Sequence, residues 1–124
     1  MKKLILATAL VLFTSTAFAQ EAPKFFTETY PGYALKSALD AMGILTGSQA
    51  KLDAKSRELI ALGVAAQIPC IYCVYYHTKA ARDLGASESE IREAVATAAM
   101  VRQWSTVLNG MAYDFEAYKA EVGK

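Results

Sequence analysis

The chain has 124 residues, 54% of them hydrophobic, with 13 basic against 12 acidic side chains. That near-neutral balance, with no basic patch and no basic–aromatic alternation, argues against nucleic acid as a partner. The length suffices for one small domain and not for two. Its only two cysteines, Cys70 and Cys73, would close too short a loop to staple a thin core. Association with further copies is the expected way to bury more surface.

The chain opens with Met1-Lys2-Lys3, an apolar run from Leu4 to Phe18 and the small-x-small triplet Ala17-Phe18-Ala19. This reads as a secretory signal peptide over residues 1–19, cut to leave Gln20 at the new terminus. The alternative, an uncleaved anchor, calls for a spanning run of about 20 residues, and this run is shorter. A lipid anchor would need a cysteine at the cleavage site, and none is there. The Lys-Lys start and short apolar core have a bacterial pattern. The expected location is therefore periplasmic or secreted, with no membrane attachment after cleavage. Two of the 13 basic residues lie in this leader, which leaves 11 against 12 acidic ones.

Residues 20–32 hold Pro23, Pro31 and Gly32 and read as an extended lead-in, whose Phe25, Phe26 and Tyr30 would dock on the body. From residue 33 to 124 every segment reads helical. A short helix is expected over 33–42, followed by a break at 43–47, and a second over 53–67, ended by Ile68-Pro69. A third carries both cysteines and stops at Gly85. Ser87 and Glu90 form a capping box that opens a long fourth helix to Asn109-Gly110. Its apolar side is marked by Ile91, Ala94, Val95, Ala98, Val101 and Leu108. A last helix is expected over 111–121. No run alternates with period two, so the fold class is all-α, a single helical domain of about five helices. Met42, Met100 and Met111 read as core filler, Trp104 as a core or interface anchor, and Tyr72, Tyr75 and Tyr76 as packing or subunit-contact residues.

The third helix carries the chemistry. Cys70-Ile71-Tyr72-Cys73 is followed four residues later by His77, the only histidine of the chain. Pro69 just before Cys70 suits a helix start. At about 100° per residue, with Cys70 at zero, Cys73 falls near 300° and His77 near 340°. Val74, Ala80, Ala81 and Leu84 share that arc, while Tyr72, Tyr75, Lys79, Arg82 and Asp83 lie opposite. Both sulfurs and the imidazole therefore belong to the inward face. Unpaired N–H groups and the helix dipole in the first turn favour a thiolate. Two thiols at this spacing can form a disulfide, and the imidazole can hold or move their protons. Zinc would need a fourth ligand and, usually, a second cysteine pair.

Glu58 lies in the second helix among Leu62, Ala65 and Ala61. Alone it reads as a glutamate at a helix edge reaching water. The sharper expectation is a carboxylate aimed at His77 across a tight helix pair, where burial without a partner would be costly.

Glu58, eleven intervening residues, Cys70-x-x-Cys73, three more residues and His77 resemble the signature of the alkyl hydroperoxidase D-like proteins of the carboxymuconolactone decarboxylase superfamily. The similarity covers residues 33–118. It includes the Lys51-Leu52-Asp53 lead-in, the Gly85-Ala86-Ser87 turn and the small-residue run from Ala94 to Ala99. The resemblance implies an all-helical subunit that assembles as a trimer or a hexamer. It also implies thiol-dependent reduction of a hydroperoxide substrate, with an external dithiol as reductant and neither metal nor cofactor. Carried over, Cys73 is the residue oxidised to a sulfenic acid, Cys70 the proton donor and resolving thiol, and Glu58 with His77 the proton relay. The best-known members have a second histidine directly before the second cysteine, where this chain has Tyr72. Decarboxylase members lack the cysteine pair. Two other readings use the same observations: a periplasmic thiol–disulfide oxidoreductase, and a helical oligomeric binding protein with a static disulfide.

Overall fold

The computed structural model describes residues 22–124, and the expected signal peptide over residues 1–19 lies outside them. The described chain is all-helical, with α1 at Lys24–Thr29, α2 at Gly32–Thr46, α3 at Ala54–Gln67, α4 at Ile71–Asp83, α5 at Glu88–Gly110 and α6 at Phe115–Val122. Two compact units divide it, one ending at Ala41 and one spanning Met42–Lys124, with the boundary inside α2.

Two expectations about the N-terminal part are corrected. The lead-in is not extended throughout, because it holds α1, and this makes six helices rather than five. Pro23 stands at the N-cap, where its missing N–H is no loss, and its carbonyl accepts from Phe26 N–H at 2.9 Å. Tyr30, the residue before Pro31, is extended and ends the helix. The break expected at residues 43–47 is also absent, since α2 runs on to Thr46. A single helical glycine costs only about 1 kcal/mol against alanine, so Gly43 does not interrupt it. Gly47 does the stopping: a Cβ there would lie 2.8 Å from the Gly43 carbonyl oxygen.

The second unit begins its packed part at Asp53, whose side chain accepts from Ser56 N–H and caps α3. Only residues 68–70 separate α3 from α4, so the two run antiparallel. Glu58 near the start of α3 meets His77 midway along α4, and Ala65 near its end accepts from Cys70 N–H. α4 ends at Leu84, and Gly85 follows with φ +84°, a conformation that suits glycine. The Ser87/Glu90 capping box then opens α5 as expected. α5 returns along α3 in the same direction: Lys55 meets Glu90 near the start of both helices, and Gln67 Nε2 donates to the Ala98 carbonyl at 2.7 Å about three turns on along α3 and two along α5. A Cβ added to Gly63 would touch that of Ala98 at 3.5 Å, so small residues let α3 and α5 approach. The last helix starts at Phe115, four residues later than expected, because Asp114 supplies its cap.

The core is small. Leu62, Ala81, Ala86 and Ile91 form it, with Leu59 and Val74 packed against them and Ala65 buried beside. The inward arc expected for α4 holds at Cys73, Val74, His77 and Ala81 and fails at Leu84, which is exposed at the helix end. On α5 the expected apolar side is buried at Ile91 and half-buried at Ala94, Ala98 and Leu108, while Val95 and Val101 are exposed. Met42, Met100 and Met111 are exposed and fill no core, and Trp104 is 54% exposed. α5 outruns the two helices it packs on, and Val101, Trp104 and Val107 in its second half are exposed.

Glu90 joins two jobs. Its carboxylate accepts from Lys55 Nζ at 2.7 Å and from Ser87 N–H at 2.7 Å. The Lys55 hydrogen bond first, then Ser87, hold its pKa down at about 2, against an ordinary 4.5. A depressed carboxylate pKa gives stability that is fully present above the ordinary value and is lost as pH falls through the folded one. The urea midpoint should therefore decline as pH drops from about 4.5 towards 2. Glu90→Gln should start from a lower midpoint at pH 7 and show a flatter acid limb. An unchanged slope in that variant would remove Glu90 as the cause.

Candidate active site

α3 and α4 build the site between them. Cys70 is the N-cap of α4, one position outside the helix proper, and Cys73 sits in the first turn. The two form a disulfide, with Cα atoms 5.3 Å apart. The Cys73 backbone N–H donates to Cys70 Sγ at 3.2 Å, so a sulfur occupies the place usually taken by a serine or aspartate oxygen. The Cys70 carbonyl accepts the first helical bond, from Val74 N–H at 2.9 Å. Both cysteines are half-buried.

His77 lies one turn beyond Cys73 on the same face. Its Nδ1 stands 2.6 Å from Glu58 Oε2, with the imidazole 25% and the carboxylate 18% exposed. An ionised carboxylate can only accept, so the Nδ1 proton points at Glu58 and Nε2 is the ring atom left to take or give a proton. Leu62 and Ala65, one and two turns further along the same side of α3, are buried, and Glu58 is half-buried. The carboxylate is thus turned into the helix pair and not out to water. The ring of Tyr76 stands edge-on to the imidazole, 5.1 Å between centroids. No signal beyond its place in sequence marked Tyr76 as a neighbour of the site.

The four residues singled out in sequence thus fall on two facing helices. Cys70, Cys73 and His77 follow one another along α4, and Glu58 reaches His77 from α3. Tyr72 points away and is 82% exposed, so it makes no contact with the Glu58–His77 pair. Sequence reading missed the capping role of Cys70, because it placed the cysteine inside the first turn. The remaining charges of α4 are paired outside the site, Lys79 with Asp83 and Arg82 with Glu88. Two grooves flank the helix pair, about 550 Å³ along α3 and α5 and about 650 Å³ along the outer side of α4, and neither is lined by Cys73, His77 or Glu58.

A dithiol that closes to a disulfide at a helix N-terminus, with a carboxylate-held imidazole one turn away, is equipped for two-electron thiol chemistry. Residues 34–114 match the carboxymuconolactone decarboxylase family, and the chain belongs to that family. It is also 34% identical over 71 residues to a Paracoccus denitrificans protein named "Uncharacterized protein 4 in cox locus". That stretch covers 57% of this chain and 64% of the relative.

The hydrogen bond to Glu58 sets the tautomer of His77. In ¹⁵N spectra of the wild-type protein at a pH where the ring is neutral, Nδ1 should be the protonated nitrogen. Glu58→Ala should move the ring toward the Nε2–H form that neutral histidine otherwise prefers. Wild-type spectra with Nε2 protonated would contradict the pairing.

Proposed function

We propose that this protein is a thiol-dependent peroxidase that reduces hydroperoxides through a Cys70–Cys73 dithiol/disulfide cycle. The observation that carries the reading is the disulfide at the head of α4 set one turn from a Glu58–His77 pair. The resemblance to alkyl hydroperoxidase D-like proteins supports it, and the cysteine pair speaks against decarboxylation.

In the reduced protein His77 takes the proton of Cys73, and Glu58 stabilises the resulting imidazolium. The Cys73 thiolate attacks the peroxide, the O–O bond breaks, and Cys73 becomes a sulfenic acid. Cys70 gives its proton to the departing alkoxide. Its thiolate then attacks the Cys73 sulfur, the S–S bond forms, and hydroxide leaves as water with the proton held by His77. Two electrons pass from the dithiol to the peroxide. An external dithiol restores them by exchange.

On the signal-peptide pattern of residues 1–19 we propose that this chemistry takes place in the periplasm or outside the cell, with a reductant that acts there. We further propose a homo-oligomer of three-fold symmetry, a trimer or hexamer. The exposed apolar run Val101, Trp104, Val107 and Met111 and the groove between α3 and α5 support association, and the three-fold order rests on the resemblance. Sedimentation above the monomer mass and an intact mass beginning at Gln20, both on protein from the producing cell, are the expected results.

Thiol–disulfide exchange on protein cysteines is a second reading, favoured by the capping hydrogen bond to Cys70. Turnover of protein disulfides without peroxide consumption would select it. For the peroxidase, Cys70→Ser given one equivalent of an organic hydroperoxide should accumulate a sulfenic acid at Cys73, and Cys73→Ser should leave Cys70 far less reactive. His77→Ala should slow peroxide consumption at pH 7 by roughly 10²–10⁴-fold, with much of the rate recovered at higher pH. Glu58→Gln should show a milder form of the same defect. Sulfenic-acid labelling of Cys70 in Cys73→Ser at the wild-type rate would reverse the two roles, and wild-type rates in both relay variants would exclude the relay.

A further inference from the structure

The disulfide is not symmetric. Cys70 Sγ already accepts a backbone N–H, that of Cys73, at 3.2 Å. It stands at the N-cap of a 13-residue helix, where the dipole favours negative charge. Among the described residues no donor is hydrogen-bonded to Cys73 Sγ, and His77, one turn on, is a base toward it and not a donor, because the proton of the neutral ring lies on Nδ1 against Glu58. When a disulfide is opened by a thiolate, the sulfur that is not attacked leaves with the electron pair. The thiol of lower pKa leaves faster. A donor in place before the reaction stabilises that charge without rearrangement.

We infer that the external reductant enters the disulfide at Cys73 and that Cys70 is the leaving thiolate. The inference rests on the redox reading above and extends it to the half of the cycle that the peroxide does not touch. In the first step a reductant thiolate, R–S⁻, attacks Cys73 Sγ. The Cys70–Cys73 bond breaks, a Cys73–S–S–R bond forms, and the electron pair goes to Cys70 Sγ beneath the Cys73 N–H. In the second step the other thiol of the reductant attacks its own sulfur in that mixed disulfide. The reductant closes to a disulfide, Cys73 leaves with the electron pair, and the proton of the second thiol passes to it. The dithiol is oxidised by two electrons and the protein is reduced by two. Cys70 then takes a proton from solvent.

On this assignment one sulfur meets every outside reagent. Cys73 receives the peroxide and later the reductant, while Cys70 only makes and breaks the internal bond. The capping hydrogen bond serves both halves, since the thiolate it favours is the resolving nucleophile in one and the leaving group in the other.

The test uses the oxidised wild-type chain and glutathione, a monothiol that cannot complete the second step within one molecule. The reaction is quenched in acid at the earliest times, the released thiol is capped with N-ethylmaleimide, and peptides are mapped by mass spectrometry. Glutathione should be found on Cys73 and maleimide on Cys70, with the opposite arrangement rarer by about threefold or more, since the better-stabilised thiolate leaves faster. Glutathione mainly on Cys70, or an even split, would overturn the assignment. So would a disulfide that glutathione does not open, because no outside thiol would then enter at Cys73. No peroxide is present, so failure of the peroxidase reading would show separately, as absent peroxide consumption by the reduced protein.

Discussion

One contact organises the site: Glu58 of α3 against His77 of α4, 2.6 Å apart. Neither group would be stable alone at its depth, since a half-buried carboxylate and an imidazole each need a polar partner. Their meeting requires α3 and α4 to lie antiparallel in one register. The short connection at residues 68–70 supplies the direction, and burial of Leu62 and Ala81 in one core supplies the register. A slip of one residue would rotate Glu58 away by about 100°. The same register sets the head of α4 against the end of α3, where Ala65 accepts from Cys70 N–H. The position of the disulfide and the orientation of the imidazole are thus two results of one helix pairing.

The second constraint is the thin core. Five buried apolar residues hold the described chain together, and much of α5 and α6 shows large apolar side chains to solvent. The α3–α5 contact compensates with polar ties at both ends: the Lys55–Glu90–Ser87 cluster and the Gln67 amide on the Ala98 carbonyl. These ties join α3 to α5. Glu58 lies three residues beyond Lys55, within about 60° of it around α3, so the ion pair fixes the helix turn beside the carboxylate. A chain built this way gains from covering its apolar surface with other copies, consistent with the proposed oligomer.

Much of the fold was legible because the stop and start signals are local. Asp53, the Ser87/Glu90 box and Gly85 each act through their own backbone, and so the helices they bound were placed closely from sequence. The errors lie where the outcome depends on what surrounds a residue. Gly43 reads as a break in sequence, yet one glycine is too weak to end a helix that its neighbours continue. Met100, Val101 and Met111 were assigned inward by hydrophobicity, but α5 extends past the helices that could cover them. Residues 24–29 were too short a run, between two prolines, to show helical periodicity. At the site, the spacing of Cys70, Cys73 and His77 follows from one helix and was readable from sequence. Glu58 was ambiguous on its own helix, because its partner lies across a pairing whose register only the packed structure gives. The capping role of Cys70 depends on the helix starting one residue later than Pro69 suggested.

The central claim is that Cys70 and Cys73 form a working redox couple rather than a static brace. The direct measurement is a titration of the reduced protein with one equivalent of an organic hydroperoxide, followed by thiol counting and peptide mapping. The account predicts loss of both thiols, one alcohol released per chain, and a disulfide joining Cys70 to Cys73 within the same chain. Both thiols intact after the peroxide is added, or peroxide consumed equally well by a chain lacking both cysteines, would contradict it.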